Sequence, residues 1–302
     1  MKQIFTFILL STLCAGLSAQ GEKPTSFDGD HFSLEGTLEL FKNSKSPEEF
    51  EKNLNHENLY INNLDLNRDG QTDYIMVKDN FTDNAHAIVL QVAVNKNEIQ
   101  DIAVIEIEKT GNQDAILQII GNEDVFGEEL IVEPYDLDGH SEGNGPIAEL
   151  EFFRITVNVW FWPSVRYIFR PGYTVWVSPW RWNHYPVWWK PWRPRSWQVF
   201  HPLVVKHHHG HYYHRVHNHR VVNAHKIYSP RRKSSSIVVS RTKLNNSKIV
   251  AGHRIPNQKI KKNTIKKTRI TEGNNASNTV KKTTVRKTTV KKTIPVKKKK
   301  KG

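Results

Sequence analysis

Between residues 74 and 132, apolar and polar positions alternate in short runs, at 74–77, 87–94, 99–107, 115–120 and 129–132. The runs are rich in Val and Ile and are separated by turn-forming residues, as at Asn95-Lys96-Asn97 and Gly111-Asn112. A period of two with short breaks and no helical stretch between them predicts an antiparallel meander. Glu106 and Glu108 alternate with Ile105 and Ile107, the pattern of a sheet with one face in water. Ahead of these strands the period lengthens. Leu34, Leu38 and Phe41 follow Ser33 at helical spacing, and Phe50 and Leu54 follow Ser46-Pro47-Glu48-Glu49. In that second stretch serine caps, proline takes the first helical position, and Glu49 can return the bond as a capping box. The predicted fold is α+β, with two N-terminal helices packed on an antiparallel β-meander.

Past this region the pattern changes twice. A glycine-rich run, DLDGHSEGNGP at 136–146, marks a domain edge. Residues 149–161 alternate again, with Phe153, Ile155, Val157, Val159 and Phe161 on one side. The runs 165–169 and 173–177 flank Arg170-Pro171-Gly172 and predict a β-hairpin. Over 178–194 prolines interleave with tryptophans too densely for helix or central strand, which leaves an extended course. At the other end, Lys2, an apolar stretch over 4–13 and Leu17-Ser18-Ala19 read as a secretory signal cleaved after Ala19. Cys14 is the sole cysteine, and Leu13 stands where a lipoprotein signal needs a small residue, so cleavage leaves a chain without disulfides. No later apolar run reaches membrane-spanning length. The predicted organisation is a signal peptide (1–19), an acidic domain (20–148), an aromatic segment (149–202), a His-rich segment (203–225) and a basic tail (226–302).

Charge sharpens these divisions. Residues 21–158 hold 9 Lys/Arg against 29 Asp/Glu, whereas residues 159–302 hold 34 Lys/Arg against the single acid Glu272. In the tail Val280, Val285 and Val290 head a five-residue repeat of Lys, Arg and Thr, a period that suits neither helix nor strand. Like charges repel along it, so the tail is expected to be disordered. Such a segment binds polyanions by releasing counterions and weakens steeply with salt. For an exported protein the targets are lipopolysaccharide phosphates, acidic polysaccharide or extracellular nucleic acid. The acidic domain is itself a polyanion, so self-association between domain and tail is the competing partner.

The sharpest motif is Asp65-Leu66-Asn67-Arg68-Asp69-Gly70-Gln71-Thr72-Asp73. It resembles the calcium loops of EF-hand and dockerin proteins, and more closely those that run into a β-strand, as in integrin-type propeller repeats. Oxygens at alternate loop positions converge on a hard cation, and glycine at the sixth permits the turn. The resemblance implies side-chain ligation by Asp65, Asn67, Asp69 and Asp73, with Gln71 giving its carbonyl. Met76 stands where an EF-hand has its bidentate glutamate, so the missing ligand must come from Asp79 or from water. The alternative is an Asx-rich turn without an ion.

All nine tryptophans lie between residues 160 and 197, and nine of the fifteen histidines lie between 201 and 225. The run around Trp180, Arg181, Trp182, Trp188, Trp189, Lys190, Trp192 and Arg193 resembles short Trp/Pro/Arg-rich antimicrobial peptides, in which indoles and arginines suit a lipid headgroup interface. These residues are candidates for polyanion or membrane contact, for stacking on sugars or bases, or for wrapping back onto the acidic domain. His207, His209 and His211 would share one face of an extended chain and form a second, weaker metal candidate, for zinc, copper or nickel. Otherwise the His run is a solvated basic segment. The whole arrangement resembles uncharacterised exported proteins of Gram-negative bacteria, located in the periplasm, at the outer surface or outside the cell. No nucleophile–base pair, phosphate loop or paired-acid signature points to catalysis. The expected function is non-enzymatic: a calcium-binding envelope protein with a cationic aromatic arm for anionic polymers or lipids. A metal-handling or metal-dependent enzymatic role, through the His run or the acidic loop, is the alternative.

Overall fold

A computed structural model describes residues 23–135, 157–208 and 213–252. The expected signal peptide, the glycine-rich edge and residues 253–302 of the basic tail lie outside these. The fold mixes helix and strand around one six-stranded antiparallel sheet in simple chain order. Its strands are β1 (Ile75–Thr82), β2 (Ala85–Ala93), β3 (Ile99–Gly111), β4 (Asp114–Gly121), β5 (Leu130–Pro134) and β6 (Tyr213–Val216). The first five coincide with the alternating runs, and the apolar rows meet in register, with Ile88 opposite Ile105 and Ile105 opposite Ile119. Among the described residues, no helix is long and apolar enough to cross a membrane.

Helices α1 (Leu34–Asn43) and α2 (Pro47–Leu54) begin at the serines the sequence marks. Ser33 Oγ accepts the Gly36 amide at 2.9 Å and Ser46 Oγ accepts the Glu49 amide at 3.2 Å. The Glu49 carboxylate returns its bond to the Lys45 amide (2.6 Å), one residue ahead of the cap. Leu38, Phe41, Phe50 and Leu54 join Ile75, Val77, Ile88, Leu90 and Ile105 in one buried cluster. Each such side chain removed from water contributes roughly 1.5–3 kcal/mol.

Several expectations for the second half are corrected. The hairpin is absent, and residues 163–168 form helix α4 (Pro163–Ile168). Its β-branched residues suggest strand, but Pro163 suits a first helical turn, and Val165 and Ile168, three apart, are both buried. The described residues of the His-rich run do not form one solvated segment. They supply part of α5 (Trp197–His207), strand β6 on the far edge of β5, and part of α6 (Val222–Tyr228). Residues 236–252 of the tail expected to be disordered form α7 (Ser236–Gly252), whose Val238 is buried in the main core. Helix α3 (Glu123–Phe126) is a single turn.

The sheet face expected to be wet is covered. Val104, Ala87, Val89, Ile120 and Ile131 on that face pack with Val221, Ala224, Ile227 and Tyr228 of the α6 region, and Glu106 is fully buried beneath it. Strand alternation places Glu106 correctly on the face opposite Ile105 and Ile107. It carries no information that a segment more than a hundred residues later closes over that face.

Candidate functional site

Three arrangements bring the chemistry-bearing residues together. The first is the acidic loop. Gly70 takes φ +81° and Arg68 φ +64°, so the chain coils tightly between Asp65 and Asp73. Asp65 accepts the amides of Asp69 (3.1 Å) and Gly70 (3.0 Å), Asn67 Oδ1 accepts Asp69 N–H (2.9 Å), and Asp69 Oδ1 accepts Gln71 N–H (2.8 Å). Asp73 is buried at the base and accepts Leu66 N–H at 2.5 Å. Burial, reinforced by the nearby negative charges of Asp65 and Asp69, pushes its carboxyl up to about 8. A cation in the loop would relieve that crowding, since an opposite charge favours the ionised form. The loop is lined with oxygens, the donor type a hard cation takes. Asp65, Asn67 and Asp69 nevertheless spend oxygens on backbone amides as an Asx-rich turn does, and the loop carboxylates do not gather as a trio within 4.8 Å. Asp79 does not supply the missing ligand, because it is buried beside His86 (2.8 Å to Nδ1) and Tyr173 (2.9 Å to the hydroxyl).

The second arrangement is the aromatic segment, which runs along the edge of the sheet. Residues 176–178 lie beside β1: Asp79 N–H donates to Trp176 O and Ser178 N–H to Val77 O, both at 2.9 Å. That contact covers an edge strand that would otherwise offer unpaired amides. Trp189 is buried against Tyr74 (ring centroids 5.1 Å apart, edge to face), Met76 and Ala93, with Trp180, Trp182 and Trp192 half-buried around it. Thr72 N–H then donates to Trp192 O (2.8 Å), and Arg195 is held by Asn63 and Glu57. Of the eight contact candidates, Trp189 faces inward. Arg181, Trp188, Lys190 and Arg193 are exposed, beside the almost fully exposed Val187.

The third was not legible as a site. Of the second metal candidate only His207 is described, at the exposed end of α5 and 4.6 Å from the Tyr60 ring centroid, while His209 and His211 lie outside the described residues. Two other histidines of the same run, His219 and His225, instead converge on the buried Glu106. Burial, and then the charge of Glu129, raises the Glu106 carboxyl to about 8. Burial and the neighbouring His219 lower His225. Glu106 read as a surface residue and the two histidines as members of a low-complexity run, so no local spacing could have joined them.

Compared with protein-family models, with curated proteins and with solved structures, the chain finds no match in any of the three.

Proposed function

We propose that this is a non-enzymatic exported protein of the cell envelope that holds anionic polymers or lipids through its basic, aromatic second half. Two N-terminal helices on an antiparallel meander form the acidic body. The extended aromatic arm is clasped to that body, and a lysine-rich sequence follows. The observation that carries this reading is the arm's disposition: Trp189 is buried as an anchor while Arg181, Trp188, Lys190 and Arg193 face outward. Residues 253–302 add 18 Lys/Arg against one acid. Guanidinium and ammonium groups beside an exposed indole suit phosphate-bearing surfaces, and the lysine-rich sequence adds affinity without sequence reading. In the acidic body, the coiled loop of Asp65, Asn67, Asp69, Gln71 and Asp73 supports weak calcium binding, suited to a calcium-rich exterior.

The test is a salt series of binding to lipopolysaccharide and to anionic vesicles, using the exported chain, a chain ending at Arg254, and a triple variant Arg181→Ser, Lys190→Ser, Arg193→Ser. The full chain should bind and weaken steeply with salt, with the truncation losing most of the affinity and the triple variant part of it. Equal binding by all three, or none by the full chain, would overturn the proposal.

A further inference from the structure

A ring nitrogen from each of His219 and His225 and a carboxylate oxygen of Glu106 lie within 4.8 Å of one another, the only such group among the described residues. We propose that Glu106, His219 and His225 bind a zinc ion that fastens the C-terminal segment to the sheet. Two imidazoles and one carboxylate form a ligand set suited to Zn²⁺, with the fourth position left to water.

The three side chains come from different elements, and each is held from outside. Glu106 points from β3 and is fully buried. His219 lies between β6 and α6, and its two neighbours are pinned by Gln118, the β4 residue opposite Glu106 in the sheet. Gln118 Nε2 donates to Asn218 O (3.0 Å) and Gln118 Oε1 accepts Arg220 N–H (2.7 Å). His225 sits in α6, whose first turn is tied by the Asn223 amide to Glu108 (3.1 Å). Ligands held by outer hydrogen bonds pay less ordering entropy on binding an ion.

The unpaired atoms point the same way. Glu106 Oε2 and His219 Nδ1 are buried without a hydrogen-bond partner, while His219 Nε2 rests on Glu129 (2.7 Å). Ser229 Oγ donates to His225 O and lies 2.9 Å from His225 Nε2. His225 Nδ1 lies 3.0 Å from Glu106 Oε1, so two of the ligand atoms already face each other. A proton shared between them holds the pair without an ion, and Zn²⁺ would displace it on binding. Donors around tetrahedral zinc lie about 3.3–3.5 Å apart, so the pair is at ligand spacing and His219 closes by a small movement.

The test is titration of the exported chain with Co²⁺, read by the visible absorption of four-coordinate cobalt, and with Zn²⁺ by calorimetry and by melting temperature. A quadruple variant, His207→Asn, His208→Asn, His209→Asn and His211→Asn, removes the competing run. One tight equivalent should remain in the quadruple variant, raise its melting temperature, and weaken roughly tenfold or more in Glu106→Gln and in His219→Asn. His219 is a part-exposed loop residue, so His219→Asn decides the matter if Glu106→Gln fails to fold. Absence of a tight equivalent overturns the proposal. So does tight binding that survives His219→Asn but vanishes in the quadruple variant, which would assign the ion to the His run.

Discussion

Glu51 belongs to α2, and in the sequence it reads as an ordinary solvent-facing residue between Phe50 and Leu54. In the fold it is nearly inaccessible, and its carboxylate accepts four bonds: from Tyr74 (3.0 Å), the Val77 amide (3.1 Å), Trp176 Nε1 (2.9 Å) and Ser178 Oγ (2.7 Å). Two of the four donors arrive on the aromatic segment, well over a hundred residues later, so no local pattern could have marked this position as buried. Glu51→Ala strands those donors and is expected to cost about 2–4 kcal/mol, measured by urea unfolding. Burial outweighs the donors and raises the Glu51 carboxyl above the usual range, and it does the same at Asp101. A carboxyl that holds its proton more tightly when folded contributes fully below its unfolded value and loses that contribution as pH rises through its folded one. Stability should therefore decline as pH rises from about 4.5. Glu51→Gln, which cannot ionise, should flatten part of that decline in urea midpoints taken across pH. An unchanged slope would place the effect elsewhere.

The elements divide by how far their causes lie along the chain. Strands β1 to β5 and helices α1 and α2 were legible because alternation, serine caps and Pro47 are local signals. Helix α4, strand β6 and helix α6 were not, because their apolar residues are few and acquire a partner only when the sheet already exists. Tyr213 and Val216, at the two ends of β6, are both buried while Arg215 between them is exposed, a pattern too short to separate from its His-rich surroundings. The aromatic segment tests this directly. Trp189→Ala removes a buried indole from Tyr74 and Met76 and should cost about 3–5 kcal/mol, whereas Trp188→Ala, at an exposed position beside Lys52, should cost about 1 kcal/mol or less. Thermal melts of the two single variants check it, and equal losses would mean that Trp189 is not the anchor. The turn in the acidic loop was legible in sequence, since Gly70 takes the positive φ expected at its sixth position with or without an ion. Calcium should raise the melting temperature of the full chain, and Asp69→Ala should abolish that rise. A melt indifferent to both calcium and chelator would leave the loop as an Asx-rich turn.

At the scale of the whole molecule, the basic half makes internal contacts and is proposed to bind an external polyanion, and the two respond differently to salt. Part of the basic half is spent internally: Arg195 pairs with Glu57, Arg232 with Asp124 and Glu123, and Arg241 with Asp28. Partly exposed pairs of this kind contribute only about 0–1 kcal/mol each. The clasp between the two halves instead rests on contacts that salt does not screen, namely the buried Trp189, the β5–β6 pairing and the apolar cluster beneath α6. Binding of an external polyanion by the remaining cations depends on counterion release, and with several phosphate contacts it loses orders of magnitude in affinity over a few-fold rise in salt. The two should therefore separate in one experiment. Across a sodium chloride series the full chain should lose the proposed lipopolysaccharide binding while its melting temperature moves by no more than about the few degrees that 1 kcal/mol represents. If the melting temperature instead falls in step with the binding, the clasp is itself electrostatic, and an anionic ligand must compete with the acidic domain for the same cations.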